Sequence, residues 1–245
     1  MKFLYNLGRY FILLKRVFER PEKQSIYRRR FFDEIEKLGL NSIGIVFIIS
    51  FFIGAVLTIQ TAYNMTNPLF PRYLIGLGVR DSLLLEFSST IVALILAGKV
   101  GSGIATELGT MRITEQIDAL EIMGINSASY LIFPKIVAMI VFNPFLTLIS
   151  NIVGIFGGLL VAVFTDYTNP SEFIFGLQYA FTPYYLVYAL IKSVVFAFLI
   201  TTISAFYGYN VQGGAIDISK ASTVASVQSS IFVLTFNLIL TNLLL

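Results

Sequence analysis

The sequence predicts an all-α polytopic membrane protein with about five transmembrane helices. Its 245 residues are 56% hydrophobic and only 13% charged, with a mean hydropathy of +0.81. A soluble core of ordinary composition does not hold so much apolar surface. Five apolar stretches are long enough to cross a hydrocarbon layer of roughly 30 Å, which takes about 20 helical residues. Ten of the seventeen Lys and Arg residues lie in the first forty positions, so this end should face anionic lipid or the cytoplasm.

The amino-terminal segment, residues 1–40, is predicted to contain a helix that lies in the membrane interface and ends before Pro21. Apolar residues recur at helical spacing and basic residues occupy much of the remainder. A soluble amphipathic helix packed on another domain is the alternative, but no soluble domain follows. Arg28, Arg29 and Arg30 then form a cationic cluster just before the first span, suited to an anionic surface.

The predicted spans make up a bundle over residues 41–245, and the whole chain, 1–245, is expected to be a single domain. We place the spans near residues 43–65, 83–105, 132–165, 183–207 and 221–245. The third is too long for a simple perpendicular crossing. Because Pro144 removes a backbone donor inside it, we expect a kinked or tilted helix.

The distribution of Lys and Arg between spans predicts the orientation. Arg112 and Lys220 fall on the same side as the basic amino terminus. The opposite side has Arg72 and Arg80, and the 166–182 connection has neither Lys nor Arg. The amino terminus is therefore predicted to be inside and, with five spans, the carboxyl terminus outside.

The 106–125 segment, TELGTMRITEQIDALEIMGI, is the most informative connection. Helical spacing puts its apolar residues on one stripe and three acids on another: Ile113, Ile117 and Leu120, and Glu115, Asp118 and Glu121. Such an acidic ridge suits a basic groove on a soluble partner, and a short helix between two spans can pass the partner's motion to the bundle. A solvated amphipathic loop helix is the simpler alternative.

A glycine-rich run, residues 98–103, precedes this segment but does not predict a nucleotide site. It lacks the P-loop order, and Thr106 stands where a dinucleotide fingerprint has its third glycine. Small residues recur every four positions instead, a pattern typical of close helix packing in lipid: Ala97, Gly101 and Ala105, Gly98 and Ser102, and Gly154 and Gly158.

Two ionisable residues lie inside predicted spans, where charges are costly and therefore candidates for function. Glu86 is near the outer end of the second span, where it is either functional or simply solvated at the interface. Lys192 is near the middle of the fourth, where it can pair with a carboxylate or with carbonyls, or extend to the interface. The last span carries many Ser, Thr, Asn and Gln residues and should line a cavity or a helix interface.

The absence of His, Cys and Trp removes thiol chemistry, Cys/His zinc sites and any triad with an imidazole base. No cofactor, metal or nucleic acid is expected. A lipid-modifying enzyme would need a nucleophile, base or metal cluster at membrane depth, and none is evident. An ion channel or secondary transporter would predict inverted repeats or a ring of intramembrane charges, and neither is evident.

The run AGKVGSGIATELGTMRITEQIDALEIMGINSASYLIFPK, with IKSVVFAF and FYGYNVQGGAIDISKAST, resembles the MlaE-type (YrbE-like) permeases of bacterial lipid ABC systems that work with MCE proteins. The resemblance covers nearly all of the chain after about residue 30. It implies a homodimeric, non-enzymatic permease of the bacterial inner membrane, with its amino terminus cytoplasmic and its carboxyl terminus periplasmic. It would move phospholipid between that membrane and an outer-face MCE-domain partner, driven by a separate cytoplasmic ABC ATPase.

The resemblance also assigns residues. The 107–123 loop implies a coupling helix that seats in the ATPase, with four motif positions as coupling residues: Glu107, Arg112, Glu115 and Asp118. By position, four residues should lie near a phospholipid pocket between protomers: Leu57, Gln60, Met65 and Glu86. One departure is that the family often has Arg-Glu-Leu-Gly-Pro where this chain has Leu-Glu-Phe-Ser-Ser at 85–89, so Glu86 lacks the neighbouring arginine and proline.

Overall fold

A computed structural model describes residues 2–19, 24–65, 70–166 and 168–245. These residues form eight helices and no strand, which confirms the predicted all-α class. The helices are α1 (Lys2–Phe18), α2 (Tyr27–Asn64), α3 (Tyr73–Ile113), α4 (Gln116–Ile122), α5 (Ser127–Phe164), α6 (Pro170–Gln178), α7 (Tyr184–Tyr209) and α8 (Ala215–Leu244). Five of them, α2, α3, α5, α7 and α8, are long and apolar enough to cross a membrane.

The first two membrane helices are longer than the apolar stretches that predicted them. Helical structure already begins at Gln24, three residues before the candidate span α2, and continues through a π turn at Ile35–Gly39 into Ile43–Asn64, so the predicted boundary at residue 40 falls within a helix. Likewise α3 extends about ten residues beyond its predicted span at the start and eight at the end. Hydropathy marks the part of a helix that contacts lipid, whereas hydrogen bonding continues into polar flanks. Pro21 lies outside the described residues.

Small residues let the membrane helices approach closely, as their spacing predicted. A Cβ atom on Gly54 of α2 would lie 1.8 Å from the carbonyl oxygen of Gly154 in α5. On Gly101 of α3 it would lie 2.8 Å from the Ser204 hydroxyl of α7. The close-packing prediction is therefore confirmed at Gly101 and Gly154, whereas Gly98 has open space beside it.

The third membrane helix, α5, is continuous over 38 residues although it contains Pro134 and Pro144. Its length is about 57 Å, well above the roughly 30 Å of a hydrocarbon layer. The helix is unbroken at Pro144, and the expectation that it tilts in the membrane and extends beyond the bilayer stays a prediction. The Asn143 amide donates to the carbonyl oxygen of Ser193 in α7 over 2.7 Å and fixes the two helices together.

Two ends of the bundle can be distinguished. The α4 end holds α1, α4 and the α7–α8 connection, because Arg9 bonds to Asn210 and Arg16 pairs with Glu121. The α6 end holds α6 and the last residues of α8. There the guanidinium of Arg80 is buried and donates to the carbonyl oxygens of Leu177, in the last turn of α6, and of Tyr179, directly after it. Sequence reasoning treated this arginine as a loop charge, but the structure uses it as a helix cap.

The second membrane helix, α3, contains two π-helical segments, Leu83–Ile91 and Ala97–Gly101. Such segments are rare and occur frequently at functional sites. The first contains Glu86, and the second begins directly after the five-residue α-helical segment Val92–Leu96. Sequence patterns do not mark either segment, because π geometry is decided by packing on neighbouring helices.

Candidate functional site

The segment predicted as one coupling helix is two helices joined by a sharp turn. The end of α3 at Ile113 is followed by Thr114 and then by Glu115, whose φ of 59° is left-handed. A left-handed residue ends an α-helix, so α4 starts in a new direction at Gln116. The α3–α4 turn, residues 112–118, is therefore an exposed corner at the α4 end rather than the middle of a helix.

Arg112 and Asp118 pair with each other across this turn. The guanidinium donates to the carboxylate over 2.5 Å, which joins the last turn of α3 to the first turn of α4. Glu115, at the corner, is exposed and its carboxylate has no hydrogen bond or ion pair among the described residues. The structure thus brings three of the four predicted coupling residues together, and it leaves one of them unpaired.

Glu107, the fourth predicted coupling residue, lies about one helical turn and a half deeper and contacts Lys135. The Lys135 ammonium is buried and donates to Glu107 over 2.8 Å and to Glu34 over 2.7 Å. Three membrane helices, α2, α3 and α5, therefore meet at one ammonium group. Sequence reasoning did not foresee this cluster, because its members are separated by 28 and 101 residues.

Glu121 connects α4 to three other helices. Its carboxylate accepts hydrogen bonds from Ser127 (2.9 Å), Arg16 (2.9 Å) and Tyr209 (3.0 Å). Burial opposes its ionisation, but the hydrogen bonds from Ser127, Arg16 and Tyr209 outweigh it and hold the pKa of Glu121 below its usual value. The predicted acidic ridge is therefore divided, since Asp118 and Glu121 have partners within the chain and Glu115 has none among the residues that the structure describes.

Two exposed apolar side chains lie at the end of α4, one in its last turn and one directly after it. Ile122 is 88% exposed and Met123 is 65% exposed, beside the acidic corner. Neighbouring exposed apolar side chains beside polar residues indicate an interaction surface, whereas a single exposed apolar side chain does not. Periodicity did not reveal them, because neither belongs to the stripe of Ile117 and Leu120.

Within the spans, Lys192 forms an ion pair with Glu86. The fully buried ammonium of Lys192 lies 2.9 Å from the carboxylate and donates also to the Leu85 carbonyl oxygen. The other carboxylate oxygen accepts from Asn237 of α8 over 2.9 Å. Pairing with a carboxylate, one of the predicted alternatives for Lys192, is confirmed. The pair joins α3, α7 and α8 at the first π segment.

Of the other predicted pocket residues, Leu57 and Gln60 lie on α2 and Met65 directly follows it, away from these bonds. Leu57 is buried in an apolar cluster with Val79 and Phe173, and Met65 packs against the same cluster. Gln60 is exposed. A pocket formed with a second protomer remains a prediction for these residues and for Glu86. Among the described residues, no three Asp or Glu side chains come together as metal ligands.

Comparison with known proteins assigns the family. The family model described as Permease MlaE matches residues 31–243, most of the chain. The chain belongs to the MlaE permease family. A probable ABC transporter permease protein of Rickettsia bellii is 38% identical over 206 residues, which are 84% of this chain and 79% of that protein. A probable ABC transporter permease protein of Synechocystis is 35% identical over 234 residues, 92% of this chain and 86% of that protein.

One relative of this MlaE-family permease has a more specific name. The intermembrane phospholipid transport system permease protein MlaE of Haemophilus influenzae is 32% identical over 209 residues, which are 85% of this chain and 80% of that protein. The resemblance drawn from the sequence motifs is therefore confirmed. The protein is a multi-pass membrane permease of a family whose relatives are named as ABC transporter permeases.

Proposed function

We propose that this permease is the homodimeric membrane subunit of an ABC transporter that moves phospholipid between the inner membrane and an outer-face MCE-domain partner. A separate cytoplasmic ATPase would bind the α3–α4 turn and supply the energy. The observation that carries the proposal is this exposed acidic corner at the end of a long membrane helix. The name of the Haemophilus influenzae relative supports phospholipid as the substrate.

The chemistry of the turn suits a protein partner. Glu115 offers a free carboxylate, and Ile122 and Met123 offer apolar surface beside it. Interfaces of this kind combine a central apolar contact with complementary charges at the rim. A basic groove with an apolar floor on the ATPase would fit this surface. The Arg112–Asp118 pair would hold the corner in shape while the partner pushes on it.

The turn is mechanically connected to the membrane interior through α3. Glu86 lies 26 residues before Arg112 in the same helix, about 39 Å away along its axis. Movement of the corner would therefore be passed to the Glu86–Lys192 pair and its contacts with α7 and α8. The two π segments of α3 are the places where the helix would most readily change its geometry.

The remaining surface supports a dimer with a lipid space between its copies. Within one protomer, α2 and α8 are the least buried of the five membrane helices. In the proposal they face the second copy, with Leu57, Gln60, Met65 and Glu86 close to the lipid. The α4 end and the amino terminus would be cytoplasmic, and the α6 end and the carboxyl terminus periplasmic, next to the MCE-domain partner.

Co-purification of the candidate ATPase with the permease tests the docking role. Glu115→Lys reverses the unpaired charge without breaking a bond inside the chain, unlike Asp118→Lys, which would remove the pair with Arg112. Asp166→Lys is the matched control, because Asp166 is an exposed acid at the α6 end. We expect the ATPase to be lost from Glu115→Lys and retained by the wild type and Asp166→Lys. Equal retention by all three would contradict docking at the turn.

A further inference from the structure

An apolar groove of about 490 Å³ runs between α1, α7 and α8. Its volume is within the roughly 300–1,000 Å³ of ligand pockets. The walls are mainly aliphatic and aromatic, among them Leu7 and Phe11 of α1, Val195 and Phe198 of α7, and Phe232 and Phe236 of α8. The groove belongs to neither the α3–α4 turn nor the surroundings of the Glu86–Lys192 pair.

The groove opens into a polar hollow at the α4 end. This second space, of about 240 Å³, shares Asn6, Phe206 and Tyr207 with the groove. It adds the charged side chains of Arg9 and Asp217 to the lining. Because the two spaces share three lining residues, they are adjacent, and we treat them together as one amphipathic cleft that is polar at the α4 end and apolar further in.

Both charges of the polar hollow have unused bonding capacity. The Arg9 guanidinium bonds to the Asn210 side chain, which leaves most of its five donors available. Asp217 accepts from the Gly214 backbone amide and from Lys220, each over 3.2 Å, and a carboxylate can accept about four hydrogen bonds. A ligand with a phosphate and an ammonium group would complement the two charges.

The length of the groove fits an acyl chain. Its α7 wall extends from Tyr207 back to Val195, 12 residues or about 18 Å, close to half of a roughly 30 Å hydrocarbon layer. An extended acyl chain can lie along a groove of this length, and the charged residues at its α4 end favour a lipid headgroup over a wholly apolar occupant.

We infer that this cleft binds one zwitterionic phospholipid with a primary ammonium group, its acyl chain in the groove and its headgroup between Arg9 and Asp217. Arg9 binds the phosphate and Asp217 the ammonium group. Because the site lies at the α4 end and is formed by one protomer, it is separate from the proposed pocket between protomers. It requires neither the ATPase nor transport.

Native mass spectrometry of the purified, delipidated permease tests the site, with phosphatidylethanolamine and phosphatidylglycerol added separately. Phosphatidylglycerol has the phosphate but not the ammonium group. We expect the wild type to bind phosphatidylethanolamine more tightly. Arg9→Ala should weaken that binding about tenfold or more, through the lost charge-assisted hydrogen bonds. Arg29→Ala, at an exposed arginine of the same end, is the matched control and should bind as the wild type does.

Two further variants keep the test decisive if Arg9→Ala displaces α1. Asp217→Asn, which preserves a side chain able to cap α8, should abolish the preference for phosphatidylethanolamine over phosphatidylglycerol. Val195→Trp, at the deep end of the groove, should weaken binding of long-chain phosphatidylethanolamine more than of a short-chain form. Equal binding of the two lipids by the wild type, or unchanged binding in Arg9→Ala, would overturn the inference.

Discussion

Replacing Lys135 with Met should destabilise the protein strongly. The Lys135 ammonium lies 2.7 Å from Glu34 and 2.8 Å from Glu107, and its side chain is only 2% exposed. The Glu34 side chain is 8% exposed, and its second carboxylate oxygen has no hydrogen-bond partner in the part of the chain that the structure describes. Lys135→Met therefore leaves a buried carboxylate without any cation.

The expected loss follows from this burial. Removal of one member of a buried ion pair costs about 3–5 kcal/mol. Glu107 is 38% exposed and regains water, which places the expected value near the lower limit, about 3 kcal/mol. Lys37→Met is the matched control: its ammonium lies 3.9 Å from Glu107 and its side chain is 61% exposed. An exposed pair of this kind contributes at most about 1 kcal/mol.

The free energy of unfolding in detergent micelles, measured with denaturant, distinguishes the two variants. A second substitution supplies an internal test, since Lys135→Met combined with Glu34→Gln removes the unpaired buried charge. The double variant should therefore recover part of the stability lost by Lys135→Met alone. A loss in Lys135→Met no larger than in Lys37→Met, or a further loss on adding Glu34→Gln, would refute the reasoning.

Three other outcomes are expected. Glu86→Gln and Lys192→Met should each cost about 3 kcal/mol in the same unfolding assay, because each leaves one charge of the pair without its counter-ion within the membrane spans; a loss of stability in neither variant would disprove this. Gly54→Ala should cost at least about 2 kcal/mol, since the new Cβ would meet a carbonyl oxygen of α5. Gly44→Ala, with nothing within 4 Å, should be neutral or stabilising, and similar values for the two would contradict the close contact. The pKa of Glu121 is lower in the folded state than its unfolded value of 4.5, so the ionised carboxylate stabilises the fold at pH values above 4.5. This stabilisation is lost as the pH falls through the folded-state pKa. The melting temperature of Glu121→Gln should therefore be below that of the wild type at neutral pH and approach it below pH 4.5; a gap that widens in acid would argue against these bonds.

Much of the architecture was predictable from local sequence. Hydropathy located all five membrane helices, and amphipathic spacing located α1. The small-residue pattern predicted the close contacts at Gly101 and Gly154. These features are local because the transfer of a side chain into lipid, or the room beside a glycine, depends on residues within a few turns of one helix. The motif from residue 97 to residue 135 likewise identified the family and the exposed connection.

Only the tertiary structure decided which polar groups meet. The sequence put Glu115, Asp118 and Glu121 on one predicted face, but a left-handed residue at the corner gave each a different environment. Lys192 finds its partner 106 residues away, and Lys135 finds Glu34 at a separation of 101. Side-chain pairing at membrane depth depends on which helices are neighbours and on their rotation. Hydropathy fixes neither, so the sequence determined the spans and the tertiary packing determined their charge pairs, the α3–α4 turn and the cleft.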